Sequence, residues 1–314
     1  AALPLDLSAI SADRMVAHVR FLADDLLEGR SPGARGGDLA AKYIATQFAL
    51  LGLQPGAEDG TFFQPVPIVE ATIDRAATTL QAKGPKGTRA FTMGQDLALL
   101  ASVEAPTVAL DAEVVFVGHG IVAPEFTWDD YAGADVTRKV VMAMVNDPPA
   151  PADQPALFGG KALTYYGRWT YKYEEAVRHG AAGMILIHTD ASATYPFGVV
   201  LSTTVGEQVF LPAAPGGSVL QLKSWLTEEA ATALAALGGH DLLALRKRAL
   251  TRGATPVPLG VSVSLRVQQK TTRKTSPNVV AKLPGVRTDE AIVFSSHYDH
   301  MGRRETADGS DGIW

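Results

Sequence analysis

Hydrophobic positions recur along the chain with the spacing of helices near its start and with the spacing of strands further on. Residues 11–29 (SADRMVAHVRFLADDLLEG) predict an amphipathic helix, with Ser11 as a suitable N-cap. A second helix is predicted over residues 38–51. The stretch between them, 29–37 (GRSPGARGG), is rich in Gly and Pro and predicts a loop. The chain therefore opens with a predicted pair of helices.

From about Phe62 the pattern changes to short β-like runs that are broken by Gly and Pro. Strands are predicted over 112–120, 139–146 and 261–268, a helix, Gly turn and buried strand over 169–188, and a further helix over 224–237 capped by Ser224 or Thr227. Helices that alternate with strands in this way cover the faces of a sheet. We therefore expect an α/β protein.

Two more strands are predicted near the end, over residues 278–285 and 291–296. The second (AIVFSS) is almost wholly apolar, which is typical of a central strand covered on both faces of a sheet. His297, Asp299 and His300 follow it directly. Because sites in open α/β sheets form beyond the carboxyl ends of strands, this segment is the candidate site.

The His-x-Asp spacing has a physical logic. Residues two apart in an extended segment point the same way, so Asp299 is expected to reach the imidazole of His297, fix its tautomer and make the other ring nitrogen a better metal ligand. His300 points elsewhere and need not bind the same ion. The alternative is a surface His/Asp pair with no metal. Arg303 and Arg304 are adjacent to the site and could meet an anionic substrate group, although a solvated loop explains them more simply.

Composition narrows the function classes. The 314 residues suffice for two domains, and 46% hydrophobic with 19% charged residues is ordinary globular composition. A net charge of −5 without a basic stripe gives no indication of nucleic-acid binding. Cysteine is absent, so a metal would need His and carboxylate ligands. No window approaches the ~18 apolar residues of a membrane span, and the AALPLD start fits signal-peptidase cleavage, as it fits a trimmed product; we expect a periplasmic or secreted protein.

Three stretches together resemble the co-catalytic di-zinc aminopeptidase family, which includes bacterial leucyl aminopeptidases and, more distantly, glutamate carboxypeptidase. They are HVRFLADDLLEGRSPGARGGDLAAKYIATQFALLGLQPG, PNVVAKLPG and IVFSSHYDHMG. The stretch YYGRWTYKYEEAVRHGAAGMILIH resembles a protease-associated domain inserted into the peptidase. The resemblance implies an α/β fold: the mixed sheet of a zinc exopeptidase, flanked by helices and only partly present, interrupted by a β-rich α/β insertion. The implied limits are 1–70 and 260–314 for the peptidase domain and 71–259 for the inserted domain.

The resemblance also implies roles for two residues. His297 matches the first zinc-ligating histidine of the family, and Asp299 matches the aspartate that orients this histidine without touching the metal. The remaining ligands belong to downstream motifs that do not occur in this sequence. A complete enzyme would hold two zinc ions that activate a water to hydrolyse the N-terminal residue from a peptide substrate. We expect this chain to need the remaining C-terminal part of the peptidase domain, and to be inactive alone.

Two alternatives stay open. One is a binding protein without catalysis on the same architecture, as in the transferrin receptor; the retained His297 and Asp299 argue against it. The other is carboxypeptidase or dipeptidase specificity, which arginines in a substrate pocket would mark. Arg303 and Arg304 alone do not carry that assignment.

Overall fold

The computed structural model describes residues 10–287, 289–303 and 312–313. The chain divides into two compact units. The terminal unit consists of Ala1–Ile68 together with Arg273–Trp314, and the central unit is Val69–Thr272. Strands and helices are found in both, so the protein is mixed α/β, as predicted.

The helices are α1 (Ala12–Leu22), α2 (Arg35–Leu50), α3 (Trp169–Arg178), α4 (Asp190–Ala193), α5 (Phe197–Ser202), α6 (Glu228–Leu237) and α7 (Leu242–Arg248). The strands are β1 (Gln54–Pro55), β2 (Phe63–Ile73), β3 (Thr79–Gly84), β4 (Gly87–Phe91), β5 (Leu97–Leu99), β6 (Thr107–Phe116), β7 (Val122–Ala123), β8 (Trp128–Asp129), β9 (Val140–Met144), β10 (Gly183–His188), β11 (Glu207–Phe210), β12 (Leu222–Thr227), β13 (Val257–Val279) and β14 (Ala281–Lys282). None of the helices within the described residues is long and apolar enough to cross a bilayer.

The terminal unit opens with the predicted helix pair, but the first helix is shorter than predicted. α1 ends at Leu22, and a 3-10 turn over Asp25–Arg30 replaces the rest of the predicted helix. Asp24 ends the helix because its side chain accepts the backbone N–H of Leu26 at 2.9 Å, which competes with helical pairing. α2 then lies close to this turn: a Cβ at Gly36 would come within 1.6 Å of the carbonyl oxygen of Leu27.

The strand predicted over residues 291–296 is wrong. These residues form no strand, and the side chains of Ile292, Val293 and Phe294 are exposed. A strand exists only through hydrogen bonds to a neighbour, and no described residue pairs with this segment. The strand predicted over 278–285 is limited to the end of β13 and the two residues of β14, which pair antiparallel with β1.

The central unit is built on one mixed sheet with the strand order β11-β2-β13-β6-β9-β10-β12-β5, and β3 and β4 form a hairpin beside β13. Strands β6, β9, β10 and β12 are parallel to one another, and the other pairings for which registers are known are antiparallel. The chain passes between the two units within β2 and within β13.

Strand β10 lies at the centre of this sheet and is buried along its whole length. Ile185 and Ile187 pack into one hydrophobic cluster with residues of α6, while Met184 and Leu186 pack into another with residues of α3. Alternate side chains of a strand point to opposite faces, so a strand covered on both faces has to be apolar throughout. The predicted helix, turn and buried strand over 169–188 are thus confirmed.

The helix predicted over 224–237 begins later than predicted. Leu222–Thr227 form β12, and α6 starts at Glu228. Thr227 is its N-cap, with the side-chain oxygen accepting the backbone N–H of Ala230 at 3.2 Å. The assignment of the central unit to a protease-associated domain, and of the terminal unit to a peptidase, stays a prediction.

Candidate functional site

His297 lies in the terminal unit with its side chain 79% exposed. Its Nδ1 is 2.9 Å from the main-chain oxygen of Asp299. The carboxylate Oδ1 of Asp299 lies 3.7 Å from the same nitrogen, outside hydrogen-bond distance. The two residues therefore meet as their spacing predicts, but the main chain of Asp299 makes the hydrogen bond. An orienting role for Asp299 toward a metal-bound imidazole stays a prediction.

This hydrogen bond defines the tautomer of the ring. A carbonyl oxygen can only accept, so Nδ1 of His297 carries the proton and donates it to Asp299. In the neutral ring the lone pair then belongs to Nε2. A neutral, exposed imidazole with a free Nε2 is the form in which histidine binds metals.

Backbone hydrogen bonds hold the segment that carries His297 against the turn that follows α1. The N–H of His300 donates to the oxygen of Arg30 at 3.1 Å, and the N–H of Gly302 donates to the oxygen of Gly29 at 3.0 Å. Nε of Arg30 donates to the oxygen of Tyr298 at 2.8 Å. The site is thus an exposed ring on a segment with an ordered backbone.

The side chain of Tyr298 also holds the segment in place. Its hydroxyl donates to the oxygen of Pro277 near the end of β13. Burial raises the pKa of the Tyr298 phenol, while a hydrogen bond with Ser276 acts in the opposite direction. The phenol therefore stays protonated and keeps its donor at physiological pH.

The other predicted site residues are not gathered around His297. The ring of His300 is exposed, and Arg303 is exposed and forms an isolated bridge with Ile313. Arg304 lies outside the described residues. Among the described residues, no group of three or more His, Asp or Glu side chains is placed to hold a metal ion.

The donor set can be compared with what zinc requires. A catalytic zinc takes about three protein ligands and keeps one position open. The described residues supply one imidazole, with one carboxylate beside it. They do not by themselves fit a catalytic zinc, and no chemical step through a metal follows from them.

The sequence contains a second His-x-Asp triplet that the sequence analysis missed. His188 ends β10, and Asp190 opens α4 two residues later. Its Nδ1 is 3.8 Å from Oδ1 of Asp190, and its Nε2 donates to the oxygen of Tyr195 at 3.1 Å. The ring is buried beside Phe197 and Trp225. Its Nε2 is used in this hydrogen bond and its side chain is only 3% exposed, so the ring is closed to a ligand from solvent.

A second group of titratable side chains is buried in the central unit. The carboxylate of Asp130 accepts the backbone N–H groups of His119 at 3.2 Å and Ile121 at 3.0 Å. Lys172 is fully buried, and its Nζ donates to the oxygen of Asn146 at 3.2 Å. Charges this deep require internal partners. The attraction between Asp130 and Lys172 acts to lower the pKa of Asp130 and to raise the pKa of Lys172.

Burial dominates the titration of this group. It raises the pKa of Asp130 and lowers the pKa of Lys172, because it disfavours the charged form of each. Burial and the positive charge of Lys172 lower the pKa of His119 to about 3. The imidazole of His119 is therefore neutral at physiological pH. The side chains of His119, Asp130 and Lys172 are all buried.

The chain matches no known protein-family model, and no curated protein is significantly similar to it. The resemblance to zinc exopeptidases consequently stays a prediction. The fold and the site define a mixed α/β protein with an exposed, pre-oriented histidine on an ordered segment of its terminal unit.

Proposed function

We propose that this chain is the amino-terminal portion of an exported, zinc-dependent exopeptidase that removes N-terminal residues from peptides. The terminal unit would belong to the peptidase, and the central unit would be its inserted protease-associated domain. His297 would be a zinc ligand, and Asp299 would orient it. The further ligands would come from residues other than those described, and the chain without them would be inactive.

The state of the His297 ring carries this proposal. Its Nδ1–H is held by the main-chain oxygen of Asp299, its Nε2 has no hydrogen-bond partner among the described residues, and its side chain is 79% exposed. The buried His188 also uses one ring nitrogen in a hydrogen bond, but its side chain is only 3% exposed. His297 uses one, while the backbone around it is fixed by hydrogen bonds to Gly29 and Arg30. An ordered segment that presents a single free imidazole nitrogen is the arrangement that a metal ligand needs.

The test is a ligand substitution in the protein at its full natural length. His297→Ala is expected to abolish hydrolysis of a leucine anilide and to lower the zinc content measured by elemental analysis. A catalytic zinc is coordinated by only a few side chains, so removing one of them typically costs the site most of its affinity for zinc. His18→Ala is the matched control, because His18 is also exposed, lies in the same unit, and within the described residues is hydrogen-bonded to the hydroxyl of Tyr43 alone.

The outcomes separate the candidate functions. Loss of activity and zinc in His297→Ala alone supports the exopeptidase. Zinc binding by the wild type without hydrolysis of any peptide would replace it with the non-catalytic binding protein. Cleavage from the carboxyl end of a peptide would replace aminopeptidase with carboxypeptidase specificity. Unchanged activity in His297→Ala would refute the ligand assignment.

A further inference from the structure

We propose that Arg30 is the positioning residue of the site: its side chain and main chain together fix the backbone that carries His297 and Asp299. This inference rests on the proposed function for its purpose, since a positioned imidazole matters only if it binds a metal. The geometry behind it stands independently. Arg30 belongs to the predicted loop 29–37, where nothing in the sequence singled it out.

The turn that contains Arg30 is held in an unusual backbone conformation. Glu28, Gly29 and Arg30 all have positive φ, at 51°, 67° and 52°. Positive φ is unfavourable for residues with a Cβ, and such residues persist where the surrounding structure requires them. The consequence here is that the carbonyl oxygens of Gly29 and Arg30 accept the N–H groups of Gly302 and His300.

The side chain of Arg30 then closes the arrangement from the other direction. Its Nε donates to the oxygen of Tyr298 at 2.8 Å, and its Nη1 donates to the oxygen of Leu22 at the end of α1. Hydrogen bonds from a charged donor are stronger than neutral ones. One guanidinium thus links the last turn of α1 to the residue that lies between His297 and Asp299.

Arg30 therefore contacts the segment on both sides of Asp299. Its side chain binds the carbonyl of residue 298, and its carbonyl binds the N–H of residue 300. The main-chain oxygen of Asp299, which holds Nδ1 of His297, lies between these two anchor points. The N–H of His300 belongs to the same planar peptide group as that oxygen, and the oxygen of Tyr298 belongs to the preceding group, so the two hydrogen bonds fix the direction of the Asp299 oxygen and hence the ring tautomer.

Close packing supports the same contact. Gly302 has φ +76°, and a Cβ there would lie 2.7 Å from Cβ of Ser31, the residue after Arg30. Only glycine allows the segment to approach the turn this closely. Gly302, just after the candidate site, therefore allows the segment to pack directly against the turn that contains Arg30.

Nuclear magnetic resonance on this chain tests the proposal without any metal. In the wild type the His297 ring is expected to be in the Nδ1–H tautomer, with the amides of His300 and Gly302 protected from exchange. Arg30→Lys keeps the positive charge, but a lysine ammonium cannot bind the carbonyls of Tyr298 and Leu22 together as the planar guanidinium does. We expect those amides to exchange at least about tenfold faster and the ring to shift toward the Nε2–H tautomer.

Two further variants complete the design. Arg30→Gly suits the positive φ of this position and so keeps the turn while removing the side chain; it is expected to give the same ring signature even if Arg30→Lys folds poorly. Arg20→Lys, an exposed arginine of α1, is the matched control and is expected to leave both signals unchanged. Wild-type tautomer and protection in both Arg30 variants would overturn the proposal.

Added zinc then separates this inference from the proposed function. If zinc perturbs the His297 ring of the wild type and perturbs it less in the Arg30 variants, both stand. If zinc leaves the wild-type ring unperturbed, the proposed function fails, while the tautomer result still decides the role of Arg30. Equal perturbation by zinc in all variants, with an unchanged tautomer, refutes the positioning role of Arg30 and leaves the proposed function standing.

Discussion

Two stretches of this chain have nearly the same sequence pattern and different structures. GMILIHTD (183–190) and IVFSSHYD (292–299) each place an apolar run before a His-x-Asp triplet. In both, Nδ1 of the histidine lies just beyond hydrogen-bond distance of the aspartate carboxylate, at 3.8 Å for His188 and 3.7 Å for His297. The first run is the buried strand β10, whereas the second forms no strand and is exposed.

The difference comes from the neighbours of each run. β10 pairs with β9 on one side and β12 on the other, and helices cover both faces of the sheet there. No described residue pairs with 291–296. The aspartate contact is alike in both triplets, so it does not separate a structural histidine from a candidate ligand. Exposure does: the side chain of His188 is 3% exposed, whereas that of His297 is 79% exposed and its Nε2 has no hydrogen-bond partner among the described residues.

The largest contrast is expected between one isoleucine from each run. Ile185 is fully buried and Ile292 is 85% exposed. Ile185→Ala removes core contacts and leaves a cavity, so we expect it to lower the free energy of unfolding by about 2–5 kcal/mol. Ile292→Ala is expected to change it by less than about 0.5 kcal/mol. Denaturant unfolding followed by circular dichroism measures both, and equal losses would break the comparison.

Acid is expected to act next most strongly, through a histidine of the buried region. The pKa of His119 is about 3 in the folded protein, against 6.5 for an ordinary histidine, because burial and then the charges of Lys172 and Arg246 oppose protonation. Below pH 6.5 the unfolded chain binds a proton that the folded chain does not. The stability from His119 is therefore complete above pH 6.5 and is lost as the pH falls toward about 3.

The measurement is the difference in free energy of unfolding between wild type and His119→Gln across this range. Fluorescence is a suitable probe, since Trp128, Trp169 and Trp225 lie in the central unit. The wild-type advantage is expected to shrink steadily below pH 6.5, with Asp130 and Lys172 present in both proteins. A difference that does not vary with pH would show that His119 titrates normally in the folded state.

The smallest stability contrast is expected between the two histidines of the triplets. His188→Ala removes the hydrogen bond to Tyr195 and the ring contacts with Phe197 and Trp225. We expect a loss of about 2–3 kcal/mol, from the hydrogen bond and the cavity together. His297→Ala is expected to cost less than about 0.5 kcal/mol, because its ring is exposed. A large loss in His297→Ala would make His297 a structural residue.

The same comparison explains how far the sequence predicts the fold. The patterns located α2, α3 and β10: α2 buries Ala41 and Ala45, α3 buries Tyr173 and Ala176, and β10 is buried along its whole length. The pattern failed over 291–296 because pairing depends on partners that no local window contains. α6 starts later than predicted because an apolar strand, β12, runs directly into it.

The candidate site was predictable only in part. The spacing of His297 and Asp299 brought them together, since two residues apart is a local relation. Arg30 was not predictable, because its contact with Tyr298 joins positions 268 residues apart. The second triplet was visible in the sequence, but its burial followed from the sheet around β10. Lys172 was equally hidden, since an amphipathic helix gives no sign that its lysine points inward.

The zinc content of the protein at full natural length tests the central claim most directly. Elemental analysis would compare wild type, His297→Gln and His188→Gln, each checked for folding by circular dichroism. We predict that the wild type binds zinc, that His297→Gln loses at least about tenfold in zinc affinity, and that folded His188→Gln binds as the wild type does. Full zinc binding by His297→Gln would contradict the account.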